Sequence, residues 1–516
     1  DDDYDYYYYY YYNYYHYYYY HYYYNHYYYY HYYYILQLPL LPTIFAAMYL
    51  QINTLFSQVQ FNHIYVEGSI LLVLLWILFK KTANSLNAKK TESSENSDVE
   101  EKIKSWTPKP MVNTTSLSAL PMENYVIDGK TGHYITINGQ SCINFATHNY
   151  FNFITDKSIE NNVINAVNKY GVGSCGPRAF YGTFDIHIEL EEKIAKFMEM
   201  EEAVIYSYGF STITSAIQAY VKFRDIVYVD EEVNFAIQKG LQSSKAEVVY
   251  FKHNCPEDLE RLILEKNATK RRKNRKAFLI VEGIYMNTGN ICNLPKLIDI
   301  RIKHKIRIFI DESISFGILG ERGRGITEHF NIPKDEVDLI IGSLETSLSS
   351  VGGFCVGSTF VVDHQRLSGL GYCFSASLPP LLSAAAIKAL DQIEKHPEML
   401  VKLRERSTSL HRSICSSQLT EHFILESDAT SPLKHLYLIN KSLSHTKQQQ
   451  ILKKIVDYSI SKGVAITTAS YLSDREYKIP TPSIRLLTSI KVTDEEIDFL
   501  INTLLQAVNA STIDIV

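Results

Sequence analysis

Cysteine is scarce in this chain of 516 residues, and it is badly placed for cross-linking or metal binding. Its seven cysteines, at positions 142, 175, 255, 292, 355, 373 and 415, are odd in number and never form a Cys-x-x-Cys pair. Such spacing offers neither a zinc site nor the disulfide framework of a secreted domain, and it suits a reducing compartment. Charge of one sign is lacking too: 51 Lys and Arg stand against 56 Asp and Glu, a net charge of −5. That balance excludes a generally basic nucleic-acid binder. No His-Glu-x-x-His, Gly-x-Ser-x-Gly or P-loop pattern occurs. The plainly readable metalloproteases, α/β-hydrolases and P-loop NTPases drop out with them.

What is present begins with an imbalance, since 24 of the 42 tyrosines lie in the first 34 residues. Residues 1–34 form a low-complexity Tyr/His tract with no helical or strand period. Its four histidines (16, 21, 26 and 31) recur every five positions, which reads as repeat expansion rather than a metal site. Residues 35–81 are expected to associate with a membrane. Pro39 and Pro42 interrupt the first apolar stretch, so the helix is placed at about 64–79 (IYVEGSILLVLLWILF). Sixteen residues reach about 24 Å, slightly short of a ~30 Å hydrocarbon core, and Glu67 near the start is costly in lipid. A buried helix is the alternative. Lys80 and Lys81 favour a cytosolic position for everything downstream. The segment lies too far inside the chain, and lacks the small-residue site, for a cleaved signal peptide.

Residues 82–107 are polar and charged and read as a linker. Beyond them, short apolar β-branched runs alternate with helical patterns: Ala203–Tyr206, Asp225–Val229, Val248–Phe251, Phe278–Val281, Arg307–Ile310, Leu339–Ile341 and Phe354–Val356. This alternation predicts an α/β fold with a mostly parallel sheet covered by helices on both faces. A large domain over 108–394 and a smaller C-terminal α/β domain over 395–516 follow. The basic run 270–276 (KRRKNRK) has no interleaved aromatics and reads as a solvated loop.

Gly171-Val-Gly-Ser-Cys-Gly176 matches the dinucleotide fingerprint in letters but not in context. The fingerprint needs a strand before it and a helix starting within it, whereas here a helical pattern precedes and Pro177 follows. Four other segments are more informative: YGVGSCGPRAFYGTFDIHIELEEKIAKF (170–197) leading into AVIYSYGFSTITSA (203–216), FIDESISFGILGERGRG (309–325), IIGSLETSLSSVGGFCVGS (340–358) and GYCFSASLPP (371–380). In this order they resemble the α-oxoamine synthase family of fold-type I pyridoxal-phosphate enzymes, which condense an amino acid with an acyl-CoA. The resemblance implies fold type I, with Gly209, Phe210 and Ser211 offering backbone N–H groups to a phosphate. It also implies Asp311 as partner of a pyridinium nitrogen and Arg485 at the position that holds a substrate carboxylate.

The chemical residues of that family are missing. Its Gly-Thr-Phe-x-Lys segment places the Schiff-base lysine six residues before a Gly-Gly pair. Counting back from Gly352 and Gly353 gives Thr346, and the nearest lysines are the distant Lys334 and Lys388. Asn234 stands where the family stacks a histidine, Ile314 ends the segment Asp311-Glu-Ser-Ile, and Ile213 replaces an asparagine.

These departures, with runs such as YGVGSCGPR, FAIQKGLQ, VEGIYMNTG and VDHQRLSG, resemble one branch: the non-catalytic long-chain-base subunits 1 of serine palmitoyltransferase, although that branch often carries Glu at the position of Asp311. The resemblance implies a heterodimer on the cytosolic face of the endoplasmic reticulum membrane. A lysine-bearing subunit 2 would hold pyridoxal phosphate covalently and join L-serine to palmitoyl-CoA, giving 3-ketosphinganine. Orm-family regulators and small activating subunits are further implied partners. Cys175, Gly176, Pro177, Arg178 and Tyr181 would approach the partner's site, and Ser375 and Ser377 would bond its phosphate. Gly209, Phe210, Asn234, Asp311, Thr346 and Arg485 would mark a vestigial cofactor pocket. Simpler roles compete: Cys175 as a small buried residue, Arg178 in an ion pair, the two serines as caps of the helix after Pro379, Asp311 as cap of a turn. A self-sufficient homodimeric acyltransferase and a purely regulatory scaffold are the alternative functions.

Overall fold

The computed structural model describes residues 68–80, 103–108, 111, 125–268, 275–469 and 475–512. The Tyr/His tract, most of the linker and most of the basic run lie outside them. The chain forms two units, 1–122 and 123–516. In the first, the helix expected over 64–79 is described over 68–80. It is about 20 Å long at 1.5 Å per residue. Among the described residues no helix is long and apolar enough to cross a membrane. Its side chains from Ile70 to Phe79 are all exposed.

The second unit opens with three short strands, β1 (Ile127–Asp128), β2 (Tyr134–Ile137) and β3 (Gln140–Asn144). All seven predicted apolar runs are strands: β4 (Glu202–Tyr206), β5 (Ile226–Asp230), β6 (Glu247–Phe251), β7 (Ala277–Glu282), β8 (Arg307–Asp311), β9 (Leu339–Ser343) and β10 (Gly353–Gly357). They form one sheet in the order β4-β10-β9-β8-β7-β5-β6. Only β10 runs against its neighbours. Strands β5, β9 and β10 are buried along their whole length, which is why they read as unbroken apolar runs rather than as alternation. Helices α1 (Lys157–Tyr170), α2 (Asp185–Met198), α3 (Gly209–Tyr220), α4 (Phe235–Ser244), α5 (Pro256–Ala268), α6 (Leu294–His304) and α7 (Pro380–Lys395) cover it.

A separate apolar core holds the C-terminal layer. It contains α8 (Glu398–Ser416), β11 (Phe423–Leu425), β12 (Leu433–Leu438), α9 (His445–Ser461), β13 (Val464–Ala465), β14 (Thr467–Thr468), β15 (Ser483–Leu487) and α10 (Asp494–Thr512). Strands β11, β12, β15 and β14 pair antiparallel. The beginning of the unit joins this layer: β3 pairs parallel with β13, Ile143 opposite Val464, and Phe145 is buried in the C-terminal core. Composition carries no signal for that pairing, which links segments over 300 residues apart.

Candidate functional site

The parallel strands β5, β7, β8 and β9 end at one edge of the sheet, where open α/β folds place ligands. A cavity of about 300 Å³ lies there, lined by Gly209, Phe210 and Ile213 at the start of α3 and by Asn234 ahead of α4. Met286, Ser313, Glu345 and Thr346 come from the turns after β7, β8 and β9, and Ser343 from the end of β9; His435 and Arg485 come from β12 and β15. The structure therefore brings together Gly209, Phe210, Asn234, Thr346 and Arg485, five positions singled out from the sequence. The sixth, Asp311, is buried directly beneath Asn234.

Several polar groups on the cavity floor are held by their neighbours. Asn234 is the N-cap of α4: its Oδ1 accepts from the backbone N–H groups of Ala236 and Ile237 at 3.0 and 3.1 Å. Its Nδ2 donates to Asp311 Oδ2 at 2.7 Å, and its backbone N–H donates to Glu282 Oε1 at 2.6 Å. Asp311 also accepts from the N–H of Ser313 at 2.9 Å, the turn-capping contact. Asp311 and Glu282 face each other across the β7–β8 register. Burial pushes both carboxyls upward, and the neighbouring Asp311 charge adds to the effect on Glu282. The Thr346 hydroxyl donates to the Ser313 carbonyl at 2.6 Å.

On the C-terminal side, His435 is fully buried. Its Nε2 donates to the Met286 carbonyl at 3.0 Å, so Nδ1 accepts from the Ser483 hydroxyl at 2.8 Å. Burial, and then the charge of Arg485, lower its pKa to about 3. This imidazole is neutral at physiological pH and serves as a hydrogen-bonded brace. Arg485 lies opposite it in the β12–β15 register.

The segment 171–182 is a loop behind α1, which confirms that Gly171–Gly176 is no dinucleotide fingerprint. Arg178 and Glu191 form a buried two-pronged pair at 2.8 and 2.9 Å, and Glu191 also accepts from the N–H of Ile205 at 3.0 Å. Arg178 Nε reaches Thr183 Oγ1 at 3.0 Å. Arg178 thus ties the loop to α2 and β4, the ion-pair role among those weighed for it. The turn from Pro177 to Gly182 is so tight that a Cβ on Gly182 would stand 2.0 Å from the Gly176 carbonyl oxygen. At its tip Tyr181 adopts φ +63° and is fully exposed. Cys175, with φ +56°, is exposed rather than buried.

Ser377 faces inward. Its N–H and Oγ both donate to the Gly176 carbonyl, at 2.9 and 3.1 Å, while Ser174 Oγ donates to the Ser377 carbonyl at 2.8 Å. Ser375 is exposed. Neither serine caps α7, whose N-cap is Pro379 without a side-chain bond. His187, Glu191, Glu282 and Glu345 organise these segments and were not singled out from the sequence. His187 holds the Leu378 carbonyl at 2.6 Å and accepts from the N–H of Phe184 at 3.1 Å.

Segments 174–182, 207–215 and 370–377 are stitched together by the Gly176–Ser377 bonds, by Ser207 Oγ donating to the Ala376 carbonyl, and by Gly371 N–H donating to Ser215 Oγ at 2.9 Å. Together they leave Phe180, Tyr181, Tyr208, Phe210, Leu370 and Phe374 exposed to solvent.

The fold is that of pyridoxal-phosphate transferases: the family model for aminotransferase class I and II matches residues 140–504. Serine palmitoyltransferase 1 of Dictyostelium discoideum is 38% identical over 84% of this chain and 91% of its own length. Long chain base biosynthesis protein 1 of Arabidopsis thaliana is 37% identical over 79% of this chain and 83% of its own. The chain belongs to the serine palmitoyltransferase 1 family. A solved serine palmitoyltransferase described with pyridoxal phosphate as internal aldimine shares the fold at a TM-score of 0.67, with 24% identity, over 75% of this chain and 92% of that one.

The residues present here do not fit that cofactor. Among the described residues no lysine lines the cavity, Asn234 both caps a helix and donates to Asp311, and Glu345 accepts from the N–H of Gly209 at the helix start.

Proposed function

We propose that this chain is the cofactor-free half of a serine palmitoyltransferase. It pairs with a lysine-bearing subunit of the same fold, which carries pyridoxal phosphate and condenses L-serine with palmitoyl-CoA to 3-ketosphinganine. The observation that carries the reading is a cavity with no lysine among its described lining residues, beside an exposed aromatic face. Solvent-exposed clusters of this kind mark association surfaces, and aromatic side chains dominate binding energy at such surfaces. The turn bearing Cys175 and Tyr181 is the part of this face that meets the partner's site. The pair works on the cytosolic side of the endoplasmic reticulum membrane, with the apolar 68–80 region as one attachment and the partner as another. Membrane regulators of the Orm type and small activating subunits complete the expected assembly.

Co-expression with a lysine-bearing paralogue tests the reading. The two chains should co-purify, and serine–palmitoyl-CoA condensation should require both. Borohydride treatment with pyridoxal phosphate should label only the partner. Condensation by this chain alone, with a label on one of its own lysines, would overturn the proposal.

A further inference from the structure

Helix α3 starts at Gly209 with no side-chain cap from Tyr208 and no acidic residue in its first turn. A helix start of that kind presents unpaired N–H groups and partial positive charge. The anion it faces comes from elsewhere in the chain. Glu345, in the turn after β9, accepts from the N–H of Gly209 with Oε1 at 3.0 Å. Its Oε2 would lie 3.3 Å from a Cβ built on Gly209, and Ser343 Oγ 3.0 Å from it. Ser343 Oγ in turn accepts from the N–H of Glu345 at 3.0 Å. That bond folds the turn so that the carboxylate reaches back to the helix. Glu345 immediately precedes Thr346, and both line the cavity with Gly209. Glu345 remains exposed in the single chain and shares the cavity lining with Phe210.

We propose that Glu345 is a built-in anion that closes the phosphate seat of this cavity. Cofactor exclusion then has two independent parts: loss of the amine at 346, and a carboxylate already bonded where the phosphate would bind. A phosphate entering the seat would have to break the Gly209 contact and lie beside a like charge. The inference rests on reading the chain as the cofactor-free half, and it names the residue that keeps the seat closed. It further implies that an amine alone does not restore cofactor affinity.

The test uses the full chain with its partner, as Thr346→Lys, as Glu345→Ser with Thr346→Lys, and as Glu345→Gln with Thr346→Lys. Each is treated with pyridoxal or pyridoxal phosphate and then borohydride, and labelling at residue 346 is quantified by peptide mass mapping. In the labelling step the new amine condenses with the aldehyde, losing water, and hydride reduces the resulting imine to a secondary amine. T346K alone should show no preference for the phosphate ester. E345S/T346K should prefer it by ~2- to 5-fold, the scale expected when an exposed helix start is freed for an anion. E345Q/T346K, which removes the charge but keeps the bulk, should gain part of that preference without disturbing the turn. An equal preference for the ester in T346K and in both double variants would overturn the role of Glu345 while leaving the cavity reading intact. No labelling at 346 in any variant, with co-purification retained, would instead overturn the cavity reading.

Discussion

Two neighbouring regions of this molecule treat their side chains in opposite ways. On the cavity floor, Asn234, Asp311, Glu282, Thr346 and His435 are engaged with one another or with backbone groups. Around the 174–182 loop, a few residues from the cavity mouth, large apolar side chains stand in solvent: Tyr181 is 102% exposed, Phe374 76%. A polar cluster with its partners already in place is stable in itself and chemically quiet. An aromatic cluster without cover is stable only at a cost that association removes. The contrast sets a polar floor engaged with itself against an apolar face left to solvent.

The largest effect should come from the anchor that ties the 174–182 loop to α2 and β4. Glu191→Ala leaves Arg178 as a buried, unpaired charge, with an expected loss of about 3–5 kcal/mol in denaturant unfolding. Co-purification with the partner should fall as the 174–183 loop loosens. An unchanged unfolding midpoint would show that the pair does not hold the loop.

The apolar face can be broken without touching the floor. Tyr181→Asp with Phe374→Asp should weaken pairing by about 2 kcal/mol or more for each aromatic anchor removed. The thermal midpoint of the isolated chain should stay the same, because both side chains are exposed. Undiminished pairing in a pull-down would move the interface elsewhere.

The floor can be sharpened by pH. His435 has a folded pKa of about 3 against an ordinary 6.5, so below pH 6.5 the unfolded chain takes up a proton that the folded chain refuses. Stability from this group is complete above 6.5. It falls as pH drops toward 3, by about 1.4 kcal/mol per pH unit. His435→Gln should flatten the dependence of urea stability between pH 6.5 and 5 by about one proton, and superimposable slopes would contradict the assignment. The smallest change expected is at Asn234. Replacement by Ala removes the α4 cap at about 1 kcal/mol, while Ser retains the cap and isolates the loss of the Asp311 contact. Equal stabilities for the two variants would mean that the cap contributes nothing.

Much of this was legible in the residues. Buried parallel strands are written as short β-branched runs, so each of the seven central strands could be located. The candidate cofactor positions were readable because they sit at motif spacings, and Gly209, Asn234, Thr346 and Arg485 do meet at one cavity. Glu345 escaped notice although it adjoins Thr346, because its partner Gly209 lies 136 residues away. Glu282 looked like an ordinary strand residue until the β7–β8 register set it beside Asp311. Ser377 read as free for a ligand, yet the loop it clamps turns its hydroxyl to Gly176.

By itself, the sequence determined the order of strands and helices and the absence of an amine at position 346. Local periodicity and residue chemistry need no knowledge of distant neighbours. Tertiary structure alone decided which groups are already engaged. It turned Arg178 into an anchor, set Glu345 on the helix start and joined β3 to β13. Such pairings depend on packing between segments far apart along the chain, and no local pattern records them.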